Sequence, residues 1–379
     1  MCLVKKGVHR NMNKIFKVVW SKTKECYVVV SEVAKNNGGK KKVLASVLAT
    51  LAIMGTGAQM GTPVQAEVKL NNSAVNIQPD NIPTSQKNSV GKNSTVVGYA
   101  NTTNDQEGTV AYGGYNTATG NSSTALGSSN TATGGSATAI GSNTVASGDA
   151  SVALGNLSQA TNKGAIAIGT RTNYETTNTA TGAGYGLTAG EYSTTVGGWS
   201  RATGKNASAF GYKAQATGDF SVAVGVETEA NRNNAVAIGR LSKATNTSAV
   251  AVGVNNKAAG QDSTSVGSSN TVNGDQASAF GRENVIDGAS VAGATAVGYK
   301  NKASGDRAIA IGEGNDSQVE DTITMGTKNT ASVGGGIAIG QNNVANSGGN
   351  AGNTMIAIGR ENEATALDTV AIGRKTKAT

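Results

Sequence analysis

Through the middle of the chain, small and larger apolar residues alternate over short stretches, and each stretch returns after fourteen residues. Between Ala209 and Gly281 one phrase appears six times: Ala209-Phe210-Gly211, Ala223-Val224-Gly225, Ala237-Ile238-Gly239, Ala251-Val252-Gly253, Ser265-Val266-Gly267 and Ala279-Phe280-Gly281. Val222, Val224, Val236, Ile238, Val250 and Val252 stand three and one places before their glycines. That period of two places them on one face of a short strand, with the Ala between them on the other. A second Ala falls five places after most glycines, as at Ala216, Ala230, Ala244 and Ala258. Fourteen residues cannot hold a helical repeat with its loops, but they suffice for one flat coil of a β-solenoid. The pattern therefore predicts two short strands and two tight turns per coil. Small Ala side chains fill the interior, and the Val/Ile face lies outside, where a second chain must cover it.

The same phase extends both ways. Repeat glycines run from Gly98 through Gly113, Gly127, Gly141, Gly155 and Gly169, and again from Gly298 to Gly373. About twenty coils are expected, counting an irregular one near Gly184, in a rod near 95 Å at roughly 4.8 Å per strand. The period breaks before Gly113, between Gly169 and Gly197, before Gly298 and before Gly359, and such insertions leave the regular coil as loops. Segment 171–199 is the most distinctive. Its Arg171, Tyr174, Glu175, Tyr185, Tyr192 and Trp199 are of the types that anchor recognition surfaces, so Arg171, Tyr174, Tyr185, Tyr192 and Trp199 are candidate ligand contacts. The alternative is that they patch an irregular coil.

Composition agrees with a thin repeat: 4% of residues are aromatic and 52 are Gly, too few large side chains for a compact core of 379 residues. The net charge of +8 belongs almost wholly to the first 66 residues, so it is no nucleic-acid footprint. There Lys40-Lys41-Lys42 precedes an apolar run, Val43 to Gly57, that is too short for a membrane span. A small-residue site at Val64-Gln65-Ala66 follows, so cleavage is expected between Ala66 and Glu67, after a helical signal peptide. Residues 67–90, with Pro79 and Pro83, read as a polar linker or loosely ordered cap.

Met12-Asn13-Lys14-Ile15-Phe16-Lys17-Val18-Val19-Trp20-Ser21, followed by Val28-Val29-Val30-Ser31-Glu32, resembles the extended signal peptide region of type V secretion substrates. On that likeness residues 12–66 direct export and 1–11 are an upstream extension. Phrases such as Ser221-Val222-Ala223-Val224-Gly225 resemble the head repeats of YadA-like trimeric autotransporter adhesins, over about residues 91–379. The resemblance implies a left-handed parallel β-roll and a homotrimer on the surface of a Gram-negative cell. It also implies attachment to host cells, extracellular-matrix proteins or other bacteria. Members of that family continue into a neck, a coiled-coil stalk and a β-barrel anchor. No heptad run or set of membrane strands is present here, so contact with the outer membrane is expected only through an anchor that this chain lacks.

No enzyme is expected and no cofactor. The only His is His9 and the two cysteines are Cys2 and Cys26, all in the leader, so the remainder lacks a thiol nucleophile and an imidazole base or ligand. Glu320-Asp321 and Glu361/Glu363 read as solvated turn residues. The glycines at Gly127, Gly141, Gly155, Gly211, Gly225, Gly239, Gly253, Gly267 and Gly281 belong to the period, which assigns them to structural turns rather than to a phosphate loop. Two rival functions are a spacer rod presenting another domain and an ice-binding solenoid. The second rests on Thr117-Ala118-Thr119, Thr131-Ala132-Thr133 and Thr179-Ala180-Thr181, but charged residues interrupt that ladder elsewhere.

Overall fold

The computed structural model describes residues 16–21, 26–31, 66–71, 74–170, 187–188, 190–288, 291–346 and 354–379. The chain divides into two compact units, Met1–Pro63 and Val64–Thr379. In the first, Phe16–Ser21 and Cys26–Ser31 pair antiparallel, with Val18 opposite Val29. Both runs are rich in β-branched and aromatic residues, which favour strands. The helix expected of the signal segment is therefore not what its described residues adopt, and the apolar run 43–57 lies outside them.

The second unit is a parallel β-solenoid. Among the described residues nineteen long strands, from Thr95–Tyr99 to Val370–Arg374, alternate with nineteen short ones, from Thr102–Thr103 to Lys377–Ala378. Each long strand pairs in parallel with its equivalent one coil on, and so do the short strands, except that their ladder is broken between Leu187–Thr188 and Arg201–Ala202. Val222, Ala223 and Val224 face Val236, Ala237 and Ile238. Every irregular step returns to the same register, as Thr95 faces Val110, Ile166 faces Thr194, Ser278 faces Thr295 and Ile337 faces Ile356. Ile166–Thr170 pairs directly with Thr194–Val196, and the segment around Gly184, expected as an irregular coil, lies outside the described residues. Nineteen rungs at roughly 4.8 Å make a stack of about 90 Å, slightly shorter than expected.

The interior is alanine. Ala209, Ala223, Ala237 and Ala251 are fully buried, as are Ala216, Ala230, Ala244 and Ala258 on the opposite strand. Two more inward positions complete each coil: one just before the long strand, as at Ala235 and Ala249, and one just before the short strand, as at Ser242 and Asn256. Walls this close favour small side chains, and larger ones at the Ala positions of regular coils are few, such as Thr324. Val272 and Ile286 occupy the second Ala position next to the insertion before Gly298, where Val291 also turns inward to fill the widened coil.

The repeat glycines answer a second constraint. A Cβ at Gly253 would lie 1.9 Å from the Gly267 carbonyl oxygen of the next coil, and its φ of +121° excludes ordinary side chains in any case. The glycines expected at structural turns stand in the last residues of the long strand, as Gly253 does in Val250–Val254, or directly after it, as Gly225 does after Val222–Val224, where the chain bends toward the corner. The turns are made by other residues in the left-handed region, mostly not glycine, such as Asn255 (φ 55°) and Asp262 (φ 53°), although Gly164 and Gly314 take the equivalent corners in their coils. Even Phe220 and Leu241 adopt it. Such strain costs about 1–3 kcal/mol per residue. Rung-to-rung hydrogen bonds oppose it, as from Phe220 N–H to Lys205 O at 2.8 Å and from Asn255 N–H to Arg240 O at 2.8 Å.

The segment expected as a linker or loose cap contains an antiparallel hairpin, Ala66–Asn71 with Ala74–Pro79. Its second strand continues the parallel ladder, with Val75, Asn76 and Ile77 facing Thr95, Val96 and Val97. The hairpin thereby covers the first coil's exposed edge, which would otherwise template aggregation. Ala66 opens that strand and Glu67 follows it.

Candidate binding surfaces

The two outward faces of the solenoid differ in chemistry. One residue before the repeat glycine, all nineteen coils carry a large apolar side chain, from Val97 and Tyr112 through Ile238 to Ile372. The ladder registers stack them into one row. Leu154, Phe210, Ile238 and Phe280 are 38 to 43% exposed on this single chain. The short-strand row is instead polar or mixed: Thr102, Thr117, Thr131 and Val145 align with Gln159. Beyond it, Arg201, Gln215, Glu229, Lys243 and Lys257 stack in turn. A row so charged offers no flat hydroxyl lattice. One face alone is thus apolar, over a length that soluble monomers rarely expose.

Between the two faces runs a row of buried carboxamides. Asn256, Asn270, Asn284, Asn301, Asn315, Asn329, Asn343 and Asn362 each stand three residues after a repeat glycine. Asn315 is typical. Its Nδ2 donates to Ile311 O at 3.0 Å, to Gly326 O in the next coil at 2.7 Å and to Asn301 Oδ1 at 3.0 Å. Its own Oδ1 accepts from the Asn329 backbone N–H at 3.1 Å and from Asn329 Nδ2 at 2.9 Å. A shorter run, Asn101, Asn116 and Asn130, repeats the scheme near the cap. The sequence reading missed this row, although an Asn at a constant offset from the glycine was its visible signal.

The short-strand row and the corners carry charge. Ion pairs bridge successive coils along the short strands at Lys243–Glu229 (2.7 Å) and Lys377–Glu363 (2.8 Å), and between corners at Lys213–Glu227 (3.7 Å). Arg307 grips both oxygens of Asp321 through Nε and Nη2 at 2.7 and 2.8 Å, and it also contacts Asp306. That hydrogen-bonded pairing holds the Asp321 carboxyl below its ordinary range and raises the guanidinium. A hydrogen bond from Arg282 likewise lowers Glu283. Arg282 and Lys300 lie over the Tyr299 ring at 4.8 and 5.0 Å. All these groups are solvent-exposed, so each pair adds little stability.

Of the five candidate ligand contacts, Arg171, Tyr174 and Tyr185 lie outside the described residues, as does Glu175. Tyr192 and Trp199 do not belong to an excursion. They occupy left-handed corners of a regular coil, at φ 53° and 61°, seven residues apart like the corners that follow. The Tyr192 ring lies so close to Gly164 that a Cβ there would stand 2.5 Å from Tyr192 Cδ1. The nine structural glycines are spread along the ladder at φ between +111° and +136°. Three of the four insertions leave at one corner, between a short strand and the next long one. The residues after Thr170, which fall in sequence between Ile166–Thr170 and the short strand Leu187–Thr188, lie outside the described residues.

Among the described residues no three His, Cys, Asp or Glu side chains gather as a metal site, and no helix is long and apolar enough to cross a membrane. Residues 12–59 match the extended signal peptide of the type V secretion system. Residues 118–144, 146–172, 202–228, 233–256, 258–284, 292–315 and 356–376 match the YadA head domain repeat. No curated protein matches the chain.

Proposed function

Since the chain carries the export signal and head repeats that are the signature of trimeric autotransporter adhesins, we propose that its solenoid is an adhesin head acting through multivalent contact. The signature places the protein at the outer surface of a Gram-negative cell, and the family forms homotrimers. In this reading residues 12–66 are removed after export by cleavage between Ala66 and Glu67, and residues 91–379 form the head above a short cap. The row from Val97 to Ile372 carries the argument, because one apolar face per chain is what three chains around a common axis would bury. Each protomer then turns its polar face and charged corners outward. Three parallel copies of a weak surface gain avidity without a deep pocket on any of them. Matrix proteins, host cells or neighbouring bacteria are the partners.

The solution mass of the compact unit Val64–Thr379, measured by light scattering with circular dichroism, tests the assembly. A β-rich trimer that dissociates in an Ile238→Lys/Phe280→Lys variant supports the reading; a folded monomer sinks it. Attachment is tested with beads coated at equal density with the trimer or the variant, offered to matrix-coated surfaces. Adhesion that needs the trimer supports the proposal, while no attachment of either leaves a spacer rod as the better description.

A further inference from the structure

The cap hairpin does not close flush on the first coil. Between them lies a half-open cavity of about 440 Å³, lined by Lys69, Asn76, Gln78, Lys87, Lys92 and Asp105, with Ala74, Asn88, Val90 and Gly91 completing the wall. That size falls within the range of small-molecule sites. Three lysines face a single carboxylate, and the lining is mainly polar. Lys92 stands 4.0 Å from Asp105, whose Oδ1 also accepts the Lys92 backbone N–H at 3.0 Å. Among the described residues Lys87 makes no ion pair.

The carboxamides of the wall are held in place from behind. Asn88 Nδ2 donates to Asn76 Oδ1 at 2.8 Å and to Gly98 O at 3.0 Å, and the Asn88 N–H donates to Gln78 Oε1 at 3.1 Å. Gln78 is only 5% exposed. Its Oε1 takes both of its hydrogen bonds, the second a long one from Asn76 at 3.5 Å, while its Nε2 makes none to the described residues. That amide nitrogen has no partner among the described residues and opens to the cavity, where a ligand acceptor can reach it.

We propose that this cavity binds an acidic saccharide unit: a sugar carboxylate against Lys87 and Lys92, with ring hydroxyls on Gln78 Nε2 and the Asn76 side chain. No aromatic ring lines the site, so a neutral sugar has no stacking platform, and charge supplies the selectivity. The preset carboxamides supply hydroxyl recognition that a bare anion does not need. The site names a ligand class for the adhesin reading, but binding to the purified chain is measured independently of whether the chain attaches cells.

The test titrates the full chain with glucuronate, glucose and acetate, followed by calorimetry and ligand-observed NMR. Glucuronate should bind at least about tenfold more tightly than glucose or acetate, a difference of 1.4 kcal/mol. Lys87→Gln/Lys92→Gln should bring glucuronate down to the glucose level with an unchanged dichroism spectrum. Asp105→Asn, which removes the opposing charge and keeps the Oδ1 acceptor, should tighten it. No glucuronate binding, equal binding of acetate, or indifference to both variants would overturn the proposal.

Discussion

The coils around Asn256 to Asn362 and those around Ser200 to Ser242 share the repeat glycines, a mostly small-residue interior and, outside the insertions before Gly298 and Gly359, the same fourteen-residue pitch. They differ most consistently at one inward position. In the first tract it is Asn throughout, and each carboxamide ties the carbonyl four residues back to the glycine carbonyl of the next coil. In the second it is Ser200, Ala214, Thr228 and Ser242. Ala214 can make neither bond. Ser200 and Thr228 turn instead to the glycine three residues back, at 3.0 and 3.4 Å, and only Ser242 reaches the next coil, at 2.8 Å. The long strands follow suit. They run five residues through the glycine in the Asn tract, as at Val250–Val254, and stop at three in the other, as at Val222–Val224. Alanine packing and glycine contacts suffice to stack coils. The carboxamide row adds a continuous register, since each Asn after the first bonds to the one before it. Five-residue strands do not require it: Thr138–Ser142 and Val152–Asn156 reach that length with Thr144 and Ser158 at the same position.

The comparison can be broken most severely at the element that both tracts share. Gly253→Ala and Gly211→Ala should be similarly damaging, since their Cβ atoms would meet the next coil's glycine oxygen at 1.9 and 2.2 Å. A loss of about 3 kcal/mol or more is expected for either, read by thermal melting. Asn315→Ala comes next. It strands Asn301 Oδ1, Ile311 O and Gly326 O in part, and about 2–3 kcal/mol is expected. Hydrogen exchange should show the loss spreading to neighbouring coils, whereas Thr228→Ala should stay local and below about 1 kcal/mol.

Packing is the third lever. Ala237→Leu should overpack a fully buried position by roughly 1–3 kcal/mol per chain. An unchanged melting temperature would refute the tight interior. Ala214→Asn would sharpen the contrast in the opposite sense. A carboxamide there can bond Phe210 O and Gly225 O, raising local exchange protection by about 1 kcal/mol if the offset alone sets strand length.

Smallest is the effect of acid. Asp321 and Glu283 titrate lower when folded than when unfolded, so they contribute stability above the ordinary carboxylate range and lose it as pH falls through their depressed folded values. A slight drop in melting temperature below about pH 4 is expected, and Asp321→Asn should reduce it. Both groups are exposed, so 0.5 M salt should screen much of the difference.

Much of this was legible because a solenoid repeats its physics in its sequence. The alternation at Val222, Ala223 and Val224 declared which side chains point out and which in. The spacing of Gly211, Gly225 and Gly239 declared the pitch. Other features were hidden because they depend on contacts between coils rather than on residues within one. The glycines read as turn residues, and only their carbonyl contacts place them where the long strands end and the chain bends. Tyr192 and Trp199 looked like an insertion until the ladder set them in regular corners. Residues 67–90 showed no period, and only pairing with Thr95–Tyr99 makes part of them a capping hairpin.

The sequence by itself determined the coil length, the small-residue interior and the single apolar face, because side-chain volume and a period of two act locally and recur in every repeat. The tertiary structure alone decided the bonds that the carboxamide row makes from coil to coil, the hairpin pairing on the first coil and the cavity beneath the cap. Each of these requires two segments from different coils to meet, and nothing in a single repeat records which partner will stand opposite.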